Sequence, residues 1–539
     1  MTQEFDYIIV GGGSAGCAIA NRLSADPKNS VLLLEAGQRD RNYLFKLPML
    51  MGKLMHSGMY NWDYHTEPEP ELNQREIYWP RGKVLGGCST INGMIYVRGN
   101  AADYDGWAAA GCTGWSYKDV LPLFKRTEGH VERDDDFHGT DGPLTVRRAR
   151  GQNPLFDIFV EAGQQAGYPF TDDFNGAQQE GFGRYDFTIR NGRRCSTATA
   201  FIDPIWSRSN LTVRTGAHVR RVILENGQAA GVEIGDRGNT LRIDARQEVI
   251  LSAGVISSPH LLMLSGIGEA EHLQQHGIAV EHDLAGVGQN LHDHVDCCLV
   301  YECKQPITLY RDLRLDRATL GVLQGALFGT GLISTFPYEG GAFMKSDSSR
   351  ATPDLQAHFM PATEATANLH MPNPFSKSSV QQNHGFTIRV GPVTPVSRGS
   401  IRLRSGLADD APRIIANYLA DETDFDKTVS AVQQMRNVIA SKAFDAYRGN
   451  EIAPGPMHKT NSQLKSWLRD SSATTLHPVG SCKMGVHADA VVDPQLRVHG
   501  IKKLRVADAS VMPQICSGNT NAASIMIGEK VSDLILQST

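Results

Sequence analysis

Two C-terminal segments of this 539-residue chain hold side chains able to move a proton. The first runs Thr474-Thr475-Leu476-His477-Pro478-Val479-Gly480-Ser481-Cys482-Lys483-Met484-Gly485. Proline after His477 biases the histidine to extended backbone, and the small residues that follow leave its imidazole beside open space. A neutral imidazole, with an ordinary pKa of about 6.5, can accept a proton at pH 7. The second segment leads from Ala507-Asp508-Ala509 to Ser517-Gly518-Asn519-Thr520-Asn521, a polar loop entering a helix. A carboxamide such as that of Asn519 can donate to a developing alkoxide. Taken singly, a His–Pro pair reads as structural, and Asn519 or Asn521 reads as a helix cap.

The N-terminal elements supply a place for a ligand beside these groups. Phe5 to Val10 reads as an apolar strand, Gly11-Gly12-Gly13-Ser14-Ala15-Gly16 as a loop, Cys17 to Leu23 as a helix, and Val31 to Leu34 as a second strand. Gly11, Gly13 and Gly16 fit the G-x-G-x-x-G spacing, in which the glycines make a tight turn, approach a pyrophosphate and pack helix on strand. The helix N-terminus offers free N–H groups to that anion. Glu35 lies about 20 residues on, where an acid accepts hydrogen bonds from a ribose 2′-OH. A second glycine-rich stretch, Pro80 to Gly93, includes Arg81, Leu85, Gly86, Gly87, Cys88, Ser89, Ile91 and Asn92. It combines close-approach glycines with cations and hydroxyls suited to a polyanionic, hydrogen-bonding ligand.

Bulk properties narrow the classes. A net charge of −5 and pI near 6.4 give no support for nucleic-acid binding, and Asp134-Asp135-Asp136 reads as a solvated loop. A motif that begins at residue 11 predicts no leader peptide. No apolar run reaches the roughly 18 residues of a membrane span. Gly321 to Ile333, interrupted by Gln324, reads as a lid or core segment and secondarily as a peripheral membrane contact. The nine cysteines lack paired metal spacing, so no metal is expected. Cys298 and Cys303 read as buried thiols, in keeping with a reducing, cytoplasmic setting.

Nucleotide-domain character returns far along the chain. Strands are expected at Leu211–Arg214, His218–Leu224, Gly231–Ile234, Glu248–Leu251 and Lys503–Val506, with a short helix opened by Ser257-Ser258-Pro259 and a terminal helix over Asn521–Leu536. Other helices are expected after Asn153-Pro154 and over Asp421–Ser441. Strands are also expected near Gly385–Val390 and Gly399–Leu403. The expected fold class is α/β (α+β overall). A discontinuous Rossmann-like cofactor domain (1–152, 195–305, 471–539) joins a discontinuous substrate domain (153–194, 306–470, with a lid-like 307–340) built on an antiparallel sheet flanked by helices.

These motifs, in this order, resemble the glucose–methanol–choline (GMC) oxidoreductases, FAD-dependent alcohol oxidases and dehydrogenases, most closely the bacterial choline dehydrogenase-like and broad alcohol dehydrogenase members. The resemblance covers Gly11–Gly16, Glu35, Arg81–Gly93, Ala253–Gly268, His477–Gly485 and Val506–Ala522. It implies oxidation of a primary alcohol to an aldehyde, with His477 taking the proton, flavin N5 the hydride, and Asn519 helping hold the oxygen. It further implies FAD contacts from Ser14, Ala15, Ala36, Arg81, Leu85, Gly86, Gly87, Ser89, Asn92, Gly93, Met94, Ile95, Val219, Ala253, Gly254, Asp508, Ala509, Asn519, Thr520 and Asn521. Ile91 stands where some members carry a flavin-linking histidine, so non-covalent FAD is expected. Cys88 replaces a small residue. Phe336, Tyr338, Glu339 and Phe359 are expected near the substrate, with Glu339 where choline-oxidising relatives place an acid, and His358 and Met360 lie on the same strand as Phe359. O2, a quinone or another carrier takes the electrons, with a dehydrogenase favoured over an oxidase. The alternatives are a non-redox lyase of the same fold (hydroxynitrile lyase-like), a nicotinamide enzyme suggested by Glu35 alone, and a silent flavin-binding protein.

Overall fold

Tyr7-Ile8-Ile9-Val10 and Val31-Leu32-Leu33-Leu34 are continuous apolar runs, the pattern of strands buried on both faces of a parallel sheet. The computed structural model of the protein describes residues 3–50, 58–236, 239–312, 315–363 and 384–537. In it these runs form β1 (Gln3–Val10) and β2 (Val31–Glu35), parallel to each other, with helix α1 (Ser14–Leu23) between them in sequence. Four more strands join them: β3 (Leu211–Thr215), β4 (Val219–Glu225), β5 (Gln228–Asp236) and β6 (Asn239–Leu251). The order is β3-β2-β1-β6-β5-β4, and Leu504–Val506 adds a parallel seventh strand on β6. This is a Rossmann-like layer assembled from three distant parts of the chain. Helix Gly254–Leu264 begins three residues earlier than Ser257 suggests. The carboxylate of Asp508 accepts from the Gly254 N–H (2.9 Å) and the Ser258 hydroxyl (2.6 Å), and so gathers the extra turn from outside the segment.

The second layer is antiparallel. It contains β7 (Val295–Cys303), β8 (Gly340–Met344), β9 (Leu355–Met360), β10 (Gly385–Pro392) and β11 (Arg448–Ala453) in the order β11-β7-β10-β9-β8, and Gly181–Arg184 pairs on β8. Residues 295–303, expected with the cofactor domain, pair with β10 and β11 on their two edges, and Ala473–Thr474, expected there too, pairs with the start of β7. A strand's own sequence does not say which sheet will complete its edges. Part of the expected substrate domain, 364–383, lies outside the described residues.

The segment Gly321–Ile333 is not core. It forms the end of α2 (Leu315–Phe328) and the turn after it, with Leu323, Leu327 and Phe328 exposed. Among the described residues no helix is long and apolar enough to cross a membrane.

Glu128, His130 and His138 bring possible ligand atoms within 4.8 Å of one another, but their bonds are those of a charge knot. His130 Nδ1 already accepts from the backbone N–H groups of Glu132 and Arg133. His138 lies between Glu128 (3.1 Å) and Asp173 (2.9 Å), and Arg98 bonds the same Glu128 at 2.5 Å. Burial alone would lower the His138 pKa, yet the two carboxylates raise it to about 9. A raised folded-state pKa contributes stability that is complete below about pH 6.5 and lost as pH climbs through 9. Thermal or urea unfolding should therefore show a loss on the order of 1–3 kcal/mol between pH 6.5 and 9.5. His138→Gln should abolish that alkaline slope; a slope unchanged in the variant would assign it elsewhere.

Candidate functional site

Between the two layers lies a cavity of about 1730 Å³, larger than the roughly 300–1,000 Å³ of an ordinary small-molecule pocket. One end begins at the glycine loop. Gly11 has φ +105°, and a Cβ there would strike the Ser252–Ala253 backbone. Gly16 does not line the cavity; it lets α1 pack on the loop, where a Cβ would overlap the Gly11 carbonyl. Gly13 caps α1 without any side-chain hydrogen bond, so the helix presents its N-terminal end to Gly13, Ser14 and Ala15 on the cavity wall. Ser14 Oγ donates to Asn521 Oδ1 (2.8 Å), which ties this end to the N-terminus of helix α3 (Asn521–Leu536).

Glu35 lies beside Ala36 on the same wall. Its Oε2 accepts from the Gly12 N–H (3.0 Å) and its Oε1 from the Gly37 N–H (2.7 Å). Burial pushes its pKa up to about 7, against those two N–H donors and Lys83, which lower it. Each oxygen keeps a lone pair for a further donor such as a sugar hydroxyl. Val219, Ala253, Gly254, Asp508 and Ala509 continue the wall, together with Ala217 and His218, which the sequence reading did not single out.

The 80–95 stretch forms the next side. Arg81, Gly87, Asn92, Gly93, Met94 and Ile95 line the cavity, as do Cys88 and Ile91. Leu85, Gly86 and Ser89, expected to touch the cofactor, stand behind this wall instead. Leu85 is a core side chain, Gly86 N donates to Gly12 O (2.7 Å), and Ser89 Oγ donates to Gly86 O (2.6 Å). A Cβ on Gly93 would meet the Phe336 ring at 2.8 Å, so the wall and the substrate side close on each other here. Two helix N-termini, the Glu35 carboxylate as an acceptor and a glycine-lined groove form a set of groups that fits FAD.

His477 stands where the layers meet. It follows Leu476, held at φ +66°, a conformation that costs a non-glycine residue of order 1 kcal/mol. The surroundings hold it there. Leu476 N donates to Thr474 Oγ1 (2.7 Å), Leu476 O accepts from Arg81 Nη2 (3.0 Å), and His477 N donates to Asp293 Oδ1 (2.8 Å). The other oxygen of Asp293 accepts from Thr474 Oγ1 (2.5 Å) and from the Tyr418 hydroxyl.

The same neighbours assign the imidazole tautomer. His294 Nε2 faces the Val393 carbonyl (3.0 Å), which only accepts, so Nε2 carries the His294 proton and Nδ1 is bare. Thr475 Oγ1 spends its proton on His294 O (3.2 Å). His477 Nδ1 faces both acceptors, at 3.2 and 3.0 Å, and is therefore the protonated nitrogen. That leaves the Nε2 lone pair toward Asn519, whose Nδ2 donates to it at 3.1 Å while Asn519 Oδ1 accepts from Gln356 Nε2 (3.2 Å). Burial first, then the cations and histidines around it, hold the His477 pKa well below 6.5; burial takes His294 down to about 3. The ring is a neutral base at physiological pH.

The antiparallel sheet faces this point with Asp296, Cys298 and Val300 of β7, Arg389 of β10 and His358 of β9, and Phe336 and Tyr338 close the side. Arg389 grips Asp296 with two bonds (2.9 and 2.8 Å). Two expected substrate residues are elsewhere. Strand alternation sends Phe359 to the face opposite His358, where it stacks on Phe159 with ring centroids 4.7 Å apart. Glu339 turns away likewise and accepts from the Gly151 N–H (2.6 Å). Asp293, His294 and Gln356 were missed; a run of three titratable residues, His292-Asp293-His294, just before a strand was the available signal.

Known proteins share this architecture. The GMC oxidoreductase family models match residues 5–296 and 395–528. The oxygen-dependent choline dehydrogenase of Brucella ovis is 46% identical over 100% of this chain and 96% of its own length. That of Escherichia coli O127:H6 is 44% identical over 99% and 96%. Among solved structures, pyridoxine 4-oxidase from Mesorbium loti superposes with a TM-score of 0.88 at 30% identity, over 99% of each chain. Formate oxidase gives 0.91 at 27% identity, over 100% of this chain and 99% of that one.

Proposed function

Because this chain belongs to the GMC oxidoreductase family and is an FAD-dependent alcohol oxidoreductase, we propose that it converts a neutral primary alcohol to its aldehyde with His477 as the base. The observation that carries this reading is the tautomer. His477 Nε2 offers a lone pair beside the Asn519 amide, with no proton to lose and no charge to overcome. An alcohol O–H lying between the two groups gives its proton to Nε2, while Asn519 Nδ2 donates to the oxygen as charge develops there. Gln356 holds the Asn519 amide in the orientation that makes this possible. Phe336, Tyr338 and the sheet floor exclude water around the carbinol. Bound FAD supplies the two-electron acceptor. A dehydrogenase that passes electrons to a quinone or another carrier is the favoured form.

The substrate charge is read from the floor. Relatives named as choline dehydrogenases suggest a quaternary ammonium, but the acid expected to receive it, Glu339, faces away, and Asp296 is held by Arg389. Anaerobic stopped-flow mixing with a panel of alcohols tests this. Neutral primary alcohols should bleach the flavin absorbance faster than choline at equal concentration. Faster reduction by choline would overturn the neutral substrate, and no bleaching by any alcohol would sink the redox reading in favour of a lyase.

We also infer that the FAD is not tethered, since Ile91 offers no nucleophile at the cavity wall. Acid or heat precipitation should release free FAD to the supernatant. Yellow colour retained in the pellet after washing would contradict this.

A further inference from the structure

Arg194 is a buried cation without a counterion. Its side chain is 4% exposed and lies directly behind the 80–95 wall. Nε donates to Phe45 O (3.0 Å), and Nη1 donates to Ser89 O (3.2 Å) and Asn92 Oδ1 (2.9 Å). Nη2 is buried and meets no acceptor, and no carboxylate of the described residues pairs with it. The other buried arginines are matched: Arg98 by Glu128, Arg389 by Asp296 and Arg505 by Glu248. A buried guanidinium with only neutral oxygens around it is costly unless a negative charge arrives from elsewhere. Burial accordingly lowers its pKa to about 9, with no neighbouring charge opposing the shift.

The position says where that charge would come from. Asn92 lines the cavity, and its Oδ1 is taken by Arg194 and by the Met94 N–H (3.0 Å), so its amide N–H groups are left for the ligand side. Asn92, which bonds the guanidinium on one side, lines the cavity on the other. In alcohol oxidation the substrate loses two electrons and two protons. The cofactor takes both electrons and one proton, and His477 keeps the other, so the cofactor gains one negative charge.

We propose that Arg194 is an electrostatic positioning residue that matches this charge: it raises the reduction potential of the bound flavin and fixes the Asn92 amide toward it. The proposal rests on the redox reading above. A cation in a low-dielectric interior acts across one intervening residue with little screening, whereas a purely structural strut would leave the potential alone.

The test is the flavin midpoint potential of purified holoprotein, reduced slowly with dithionite against reference dyes, so that no alcohol is needed. Arg194→Gln and Arg194→Met should each shift the oxidised-to-reduced equilibrium at least tenfold toward the oxidised form, about 30 mV for a two-electron couple. Arg194→Lys, measured at pH 6 to keep the ammonium charged, should stay within about threefold of the parent. A neutral variant with an unchanged potential overturns the proposal, as does an equal fall in all three. Should Arg194→Gln purify without flavin, the ratio of its affinities for oxidised and reduced FAD reads the same quantity and decides in the same way. A potential shift in a protein that no alcohol reduces would uphold Arg194 and refute the proposed reaction alone.

Discussion

Replacing His477 with alanine should slow anaerobic flavin reduction by about 10²–10⁴, the range of a lost general base, with FAD content unchanged. That is roughly 3–5 kcal/mol of transition-state stabilisation. The cofactor should stay because the groups proposed to hold it, Glu35, the Gly11–Gly16 loop and the 80–95 wall, do not depend on the imidazole. His477→Gln should be nearly as slow, since a carboxamide presents an acceptor oxygen of much lower basicity. The pH profile gives an independent reading. The folded pKa of His477 lies well below 6.5, chiefly through burial. The neutral ring is therefore present above that range, and reduction should be flat from about pH 6.5 upward, falling only as the solution becomes acidic enough to protonate the ring. A rate that climbs through pH 7–8 would mean that a different group takes the proton. An undiminished rate in His477→Ala would remove His477 from the mechanism.

The sequence made some of this arrangement legible and hid the rest for a physical reason. Gly11 to Glu35 could be read because strand, loop, helix and strand are contiguous, and the glycine roles depend on neighbours a few residues away. The terminal helix Asn521–Leu536 was readable for the same reason. His477 and Asn519 were found by motif, and the structure brings them to 3.1 Å. Phe359 could not be placed because facing in or out of a strand is a matter of register, and one residue reverses it; Glu339, one residue before β8, is turned by the Gly151 N–H, 188 residues away. Residues 295–303 were expected with the cofactor domain, and the antiparallel strands that they pair with lie far off in sequence. Arg194 left no local signal, and Asp293 and His294 left only their place in a titratable run, His292-Asp293-His294, before a strand. Their partners, Asn92, His477 and Thr475, are about 100 to 184 residues away, and a buried charge is recognisable only once its surroundings are known.

Asp293 shows how much rests on such a distant contact. Its two oxygens hold the part-buried His477 N–H and the buried hydroxyls of Thr474 and Tyr418. Thr474 in turn anchors Leu476 in its left-handed conformation. Asp293→Ala removes three acceptor contacts at once and leaves a backbone N–H without a partner, at about 1–3 kcal/mol for each unsatisfied group. Thr474 then loses the acceptor that fixes its hydroxyl, and Leu476 keeps only its bonds to Thr474 and Arg81 against relaxation toward an ordinary φ, which would swing the imidazole away from Asn519. A displacement of about 1 Å at a reacting group costs on the order of 10²-fold. Asp293→Ala should therefore lose about 10² in the flavin reduction rate and melt several degrees lower. Asp293→Asn separates positioning from charge. Its single oxygen can still face the His477 N–H, while the hydroxyls of Thr474 and Tyr418 turn to accept from its amide. A loss of only about tenfold is expected, with the flat pH profile of the parent retained. If Asp293→Asn instead fell as far as Asp293→Ala, or gained a new pH dependence near neutrality, the carboxylate would be acting through its charge on His477 and not through the geometry it holds.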